Sequence, residues 1–348
     1  MKQRRTIVIT MGDPKGIGPE IIIKTLTSES ISNLLPARLQ PDQAVLADRH
    51  SGGSEFSFLV IGSSGVLSQT AKTLKTTFNP VLLKKPEPIS KEEGDIFLYE
   101  PVTAEKSRGG LDYILTAIDV MKSHPAAALV TAPVSKEGVN KTGFNFIGHT
   151  ELLAQKTLSR KVTMMFVAPR LKVALVTTHI AYKKVLLYMT TDKILSTIEQ
   201  TDDGLRKYFK VAQPRIAICG LNPHVGEGQA FGNEESKIIE PAIKLARERK
   251  INCIGPFPAD SIFHRAVQGE FDAVVALYHD QGLIPIKTLA FSEAVQVTFG
   301  LPFIRTSPAH GVAYDIAGKG MANPASMIEA IKLAASMGNQ GESLFGAD

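Results

Sequence analysis

Three histidines each close an apolar run in this chain. Val173-Ala-Leu-Val-Thr-Thr leads to His179, Arg215-Ile-Ala-Ile-Cys-Gly-Leu-Asn-Pro to His224, and Asp272-Ala-Val-Val-Ala-Leu-Tyr to His279. Neutral imidazole binds zinc, cobalt, nickel and iron, so three rings gathered in one place could hold a divalent ion. Each histidine alone reads more simply as a hydrogen-bonded core residue; as a set of three at run ends they favour a metal. Two carboxylates stand nearby in sequence: Asp280 follows His279, and Asp260 lies in Pro256-Phe-Pro-Ala-Asp. Either suits orienting a ligand or taking a proton, and either equally suits a turn or a helix N-cap.

Other residues suit an anion. Gly148-His149-Thr150-Glu151 opens a helical run with Thr150 at its N-cap, and a helix N-terminus attracts negative charge beside His149. Plain capping is the alternative. Lys287 and Arg305 sit on otherwise apolar segments, where a cation is costly to bury unless it is paired. Both are candidates for a carboxylate or phosphate, Arg305 in two-pronged fashion, with an internal ion pair as the alternative. Lys136, in Ala132-Pro-Val-Ser-Lys, is a candidate catalytic lysine or simply an exposed one. The loop His310-Gly-Val-Ala-Tyr-Asp-Ile-Ala-Gly-Lys-Gly320 is rich in small residues. Beside His310, Gly311 and Gly318 allow close approach of a planar cofactor, and Asp315 could hold a ribose hydroxyl. Met11-Gly-Asp-Pro-Lys-Gly-Ile-Gly-Pro-Glu20 lacks the spacing of a dinucleotide fingerprint and the ending of a P-loop, and reads as a tight turn into a helix.

These residues need a frame. The histidine runs are short, β-branched and bounded by turn residues, as buried parallel strands are. Strands are expected at Thr6–Thr10, Phe58–Ile61, Ala128–Thr131, Val173–Thr177, Arg215–Cys219 and Ala273–Leu277. Helices are expected at Gly18–Leu26, Gly109–Met121, Thr150–Thr157, Asp192–Phe209, Asn233–Arg249 and Ala325–Met337. Such alternation means an α/β fold with mainly parallel sheets covered by helices. Ligands of these sheets bind outside the carboxyl ends of the strands, which is where the histidines fall.

A chain of 348 residues predicts two domains. They are placed at 1–133 plus 296–348 and at 134–295, the second carrying the histidines. The stretch 36–56 reads as a loop insertion and 338–348 as a frayed tail. Hydrophobic residues at 44% and charged residues at 21% suit a soluble globular protein. No run is long enough to span a bilayer, and Ile7-Val-Ile-Thr is too short for a signal-peptide core, so the expectation is cytoplasmic with no membrane partner. Cys219 and Cys253 form no Cys-x-x-Cys pair and are expected as buried thiols. A net charge of +5, without an aromatic-rich basic stripe, speaks against nucleic acid and fits a small anionic substrate.

The ordered motifs Gly12-Asp-Pro-Lys-Gly-Ile-Gly-Pro-Glu, Gly148-His-Thr-Glu, Thr178-His, Leu221-Asn-Pro-His-Val-Gly-Glu, Tyr278-His-Asp-Gln-Gly, Gly300-Leu-Pro-Phe-Ile-Arg-Thr-Ser and His310-Gly-Val-Ala-Tyr-Asp-Ile-Ala-Gly resemble those of the 4-hydroxythreonine-4-phosphate dehydrogenases, the PdxA family of vitamin B6 synthesis. The resemblance runs from about Ile7 to Ala335. It implies a two-domain α/β/α fold like that of isocitrate and isopropylmalate dehydrogenases. It implies NAD- or NADP-dependent oxidation of 4-phosphohydroxy-L-threonine, whose 3-oxo product loses carbon dioxide to give 3-amino-2-oxopropyl phosphate. His179, His224 and His279 would bind zinc, cobalt, manganese or magnesium, contributed by both subunits of a homodimer. His149, Thr150, Lys287 and Arg305 match substrate-binding positions. Gln296 stands where the family usually has Asn, and Ala309 and Val312 where Asp and Thr are common.

Rival readings remain. A dehydrogenase for 4-phospho-D-threonate or 4-phospho-D-erythronate differs in substrate only. A phosphate acyltransferase would share the general fold but needs no three-histidine site, and a metal-dependent hydrolase would need no nicotinamide.

Overall fold

A computed structural model describes residues 5–32, 34, 56–86, 94–102, 108, 110–123 and 126–338. Apart from Phe56, the 36–56 insertion lies outside the described residues, as does the expected tail beyond Gly338. The chain divides into two compact units, Met1–Leu152 with Phe303–Asp348, and Leu153–Pro302. Against boundaries of 133/134 and 295/296 read from sequence, this division puts Lys136, His149 and Thr150 in the first unit and Gln296 in the second. A close approach holds the residues after Thr131 in the first unit. Asp13 N–H donates to Pro133 O at 2.8 Å, and a Cβ on Gly12 (φ +75°) would lie 2.4 Å from that oxygen.

The first unit contains β1 (Arg5–Thr10), β2 (Phe56–Ile61), β3 (Val81–Leu83), β4 (Ile96–Tyr99), β5 (Ala128–Thr131) and β12 (Arg305–Pro308). Their order is β3-β4-β2-β1-β5-β12, and every pairing is parallel. Register is fixed by continuous apolar runs: Ile7, Val8 and Ile9 face Phe58, Leu59 and Val60 on one side and Ala128, Leu129 and Val130 on the other. All of these are fully buried, as strands covered on both faces must be. The helices Leu111–Ser123 and Ala325–Gly338 pack on β1 and β5. Chain order reverses between β1 and β5, the position where open α/β sheets leave a crevice for ligands.

The second unit contains β6 (Thr163–Ala168), β7 (Leu171–Leu175), β8 (Ile216–Cys219), β9 (Cys253–Phe257), β10 (Ala273–Ala276) and β11 (Val295–Phe299). Their order is β11-β6-β7-β10-β8-β9. β6 pairs antiparallel with both β7 and β11, whereas β7, β10, β8 and β9 run parallel. The helix Thr191–Phe209 packs against this sheet, and its Gly204 has a local reason: a Cβ there would lie 2.5 Å from the Phe299 ring. The single helix expected over 233–249 is instead a wider π-turn, Glu235–Ile239, leading into an α-helix, Glu240–Glu248. Pro241 has no N–H for the α-ladder, which is reason enough for the ladder to shift there.

Cys219 and Cys253 are buried free thiols, and burial pushes the Cys219 pKa up. Among the described residues, no helix is long and apolar enough to cross a membrane.

Candidate active site

Strand order explains how the histidines share an edge. β7, β10 and β8 are neighbours and parallel, so His179, His279 and His224 all follow carboxyl ends on one side of the second sheet. Buried hydrogen bonds tie these exits together. Thr177 donates to Leu277 O through its N–H at 3.1 Å and its hydroxyl at 2.7 Å. The Gln281 side chain accepts from Leu277 N–H at 2.7 Å and donates to Gly220 O at 2.8 Å, linking the β10 exit to the β8 exit.

The His179 and His279 rings lie 5.7 Å apart between centroids, in a pocket lined also by Thr178, Tyr182, Tyr278 and Asp280. His279 Nδ1 is 2.7 Å from Asp280 Oδ1, so the carboxylate fixes that ring and turns Nε2 away from itself. With metal–nitrogen bonds of about 2.0–2.1 Å, two imidazoles can share an ion at this spacing. The pair therefore fits part of a divalent coordination sphere by both chemistry and separation.

His224 does not join them. Its ring lies 6.5 Å from that of Phe231, and no cluster of three His, Cys, Asp or Glu that could hold a metal exists among the described residues. It sits on a turn with left-handed backbone at His224 (φ 51°) and Val225 (φ 61°). Left-handed backbone at a β-branched residue is a true outlier, costing roughly 1–3 kcal/mol, and such strain gathers at functional sites.

The first unit builds a second polar centre around the exit of β5. Arg305 starts β12 and is 2% exposed; its Nη2 and Nε donate to Thr131 Oγ1, at the end of β5, at 2.6 and 3.2 Å. Burial pulls its pKa down to about 9, a loss that the charge of Glu151 opposes, and the guanidinium stays charged at neutral pH. His149 is held neutral, its pKa pushed down to about 3 by burial first and then by Arg305 and Lys136. Its Nε2 is buried without a hydrogen-bond partner among the described groups. A buried ring nitrogen beside two cations suits a bound anion or hydroxyl.

The helix here runs His149–Lys156, so Thr150 lies inside its first turn and is not the N-cap expected from sequence. Leu152 N–H bonds Gly148 O at 3.1 Å, which places the helix start one residue earlier. Lys136 opens its own short helix, capped by Ser135 Oγ accepting from Gly138 N–H at 3.0 Å.

At the same edge, Met11–Glu20 seats the His310–Gly320 loop. Ile17 N–H donates to Val312 O at 2.9 Å, and the Tyr314 hydroxyl donates to buried Asp13 at 2.6 Å. Glu20, 1% exposed, accepts from Ala322 N–H at 2.8 Å and Gly320 N–H at 3.2 Å. His310 Nδ1 is 3.1 Å from Gly311 O; Gly311, Asp315 and Gly318 are exposed, and a Cβ on either glycine would meet nothing within 4 Å. The motif set aside as a tight turn is thus the support of the candidate cofactor loop.

Three candidates remain. Asp260 is exposed in the first turn of the helix Ala259–Val267. Lys287 lies 5.0 Å over the Phe291 ring, with its pKa lowered by burial. Gln296 is buried, and its amide donates to Thr298 Oγ1 at 2.9 Å. Sequence reasoning missed Thr131, Gln281, Asp13 and Tyr314. Tyr278-His-Asp-Gln held a usable signal, since a glutamine in the first turn after a buried strand is well placed to catch strand-end backbone groups.

The family model described as pyridoxal phosphate biosynthetic protein PdxA matches residues 54–334. The chain belongs to the PdxA family. A PdxA-family relative, the 4-hydroxythreonine-4-phosphate dehydrogenase of Desulforapulum autotrophicum, is 41% identical over 335 residues, 95% of each protein. The D-threonate 4-phosphate dehydrogenase of Salmonella typhimurium is 39% identical over 335 residues, 95% of this chain and 98% of that protein. The crystal structure of 4-hydroxythreonine-4-phosphate dehydrogenase from Klebsiella pneumoniae superposes with a TM-score of 0.76 at 34% identity, covering 96% of this chain and 99% of that one. The mixed α/β fold is thus that of a solved PdxA-family structure.

Proposed function

We propose that this chain is a metal- and NAD(P)-dependent dehydrogenase that oxidises the secondary alcohol of 4-phosphohydroxy-L-threonine. The observation that carries this reading is the His179–His279 pair, oriented by Asp280 at the carboxyl edge of a sheet in a PdxA-family chain. His179 and His279 would hold the ion, and His224 would complete its set from a second copy in a homodimer. Exposed Tyr182, Leu186, Leu187 and Tyr188, next in sequence after His179, support such an apolar contact.

A divalent ion held there would make the substrate hydroxyl more acidic, and a nicotinamide cofactor would supply the hydride acceptor. Asp280 keeps His279 aimed, and its second oxygen takes the hydroxyl proton directly or through water. Asp260 is assigned no step. His149, Thr150, Arg305 and Lys136 receive the anionic end of the substrate, Arg305 as its fixed charge and His149 as a neutral partner. Lys287 and Gln296 supply further polar contacts. The loop carrying His310, Gly311, Asp315 and Gly318 receives the nicotinamide cofactor.

A second substrate remains in play because Gln296 is one methylene longer than the usual Asn and a 39% identical relative is a D-threonate 4-phosphate dehydrogenase. The test supplies purified protein with a divalent metal, NAD⁺ or NADP⁺, and either 4-phosphohydroxy-L-threonine or 4-phospho-D-threonate, and follows reduced nicotinamide by absorbance. Turnover of the first alone supports the proposal. Turnover of the second alone moves the substrate assignment, and no metal-dependent reduction of either cofactor overturns the dehydrogenase reading.

A further inference from the structure

His224 is carried by a turn that the backbone alone would not choose. From His224 to Gln229 every residue has positive φ, including the non-glycines His224, Val225, Glu227 and Gln229. Such a conformation persists when its surroundings over-determine it.

Those surroundings converge on one side chain. Glu235 is 3% exposed, yet its carboxylate is fully engaged with the residues just before the turn. Oε1 accepts from Leu221 N–H at 2.8 Å and Asn222 N–H at 2.7 Å, and Oε2 accepts from Asn222 Nδ2 at 2.9 Å. Glu234 adds to the same anchor, accepting from Asn222 Nδ2 at 2.7 Å and Asn233 N–H at 3.0 Å. The turn also closes tightly over the carboxylate. A Cβ on Gly226 (φ +80°) would lie 3.1 Å from Glu235 Oε2 and 2.9 Å from Gly232 O. Glu235 lies in the π-turn, the one wide place in this helix, and wide turns of this kind recur at functional sites.

We propose that Glu235 is a positioning residue: its buried carboxylate gathers the backbone of Leu221 and Asn222 and so holds the left-handed turn that presents His224 to the metal. This rests on the reading of His224 as a ligand. Bonds to a carboxylate are charge-assisted, so one side chain can hold two backbone donors and an amide against the strain. Outer partners of this sort typically alter metal affinity by about 10–100-fold when lost.

The test loads the full-length wild type, E235Q, N222A and H224A with Co²⁺ alone. Affinity and coordination are read from the visible absorption bands, and folding is checked by circular dichroism and thermal melts. Expected are a loss of at least about 100-fold for H224A, a loss of about 10–100-fold with altered bands for E235Q, and no further loss when E235Q is added to H224A in a double variant. Wild-type affinity and bands in a folded E235Q, with H224A impaired, overturn the proposal while sparing the ligand assignment. Wild-type behaviour in H224A overturns the ligand reading and this proposal with it. Should E235Q fail to fold, N222A decides: it removes the amide contact to both carboxylates, and a weaker, altered Co²⁺ complex supports the role whereas an unchanged one refutes it.

Discussion

The two polar centres are built in opposite ways. In the first unit, Arg305 and Thr131 are buried and His149 has a buried Nε2, and the charges of Arg305 and His149 are set before any ligand arrives. In the second unit, His279 and Asp280 are 40% and 54% exposed at the side chain, and His224 stands apart on a strained turn. A buried centre can hold a fixed charge because neighbouring hydrogen bonds are strong at low dielectric. An open imidazole edge leaves ring nitrogens accessible and can be completed from outside. The comparison teaches that one centre is finished by folding, whereas the other is assigned a partner.

The strongest way to break this contrast is to remove the fixed charge. Arg305→Ala should lower kcat/KM for the phosphorylated substrate by a factor corresponding to about 2–5 kcal/mol, with the metal content unchanged. Steady-state kinetics beside metal analysis checks it, and coupled loss of metal would show that the two centres are not separable.

Next, Asp280→Asn removes the carboxylate that aims His279. Metal affinity should fall by about 10–100-fold while the fold is retained. Calorimetric titration with Zn²⁺ reads the change, and unaltered affinity would leave Asp280 without its orienting role.

A smaller effect concerns pH. His149 stays neutral down to about 3 when folded, against an ordinary value of 6.5. Between those limits the unfolded chain binds a proton that the folded chain does not. Stability should therefore fall as pH drops below about 6.5, by up to about 1.4 kcal/mol per unit. His149→Gln lacks this titration, so its denaturation midpoint should change less with acidification than that of the wild type. Parallel profiles would mean that the ring is not buried in neutral form.

The smallest effect is expected from Tyr314→Phe, which deletes one hydrogen bond to Asp13 worth about 0.5–1.5 kcal/mol. KM for the nicotinamide should rise a few-fold, with KM for the phosphorylated substrate unmoved. A shift in the second and not the first would assign the loop elsewhere.

Much of the frame was legible from pattern alone. Ala128–Thr131 and Gly18–Leu26 stand where the sequence put them, because uniform apolar runs and Pro in a first helical turn are local signals. The β6 strand and its antiparallel pairing were not legible, since Thr163–Ala168 is an apolar run whose direction depends on its neighbours. Arg305 was flagged as a cation on an apolar segment, but its partner Thr131 lies 174 positions away.

By itself the sequence determined which residue types stand at the ends of buried strands, because side-chain pattern and turn chemistry act over a few residues. The ordering β7-β10-β8, the bridge from Gln281 to Gly220, and the clasp of Glu235 on Leu221 and Asn222 were decided in three dimensions. Hydrogen bonds and sheet neighbours depend on distances that close only when segments far apart in the chain are packed together.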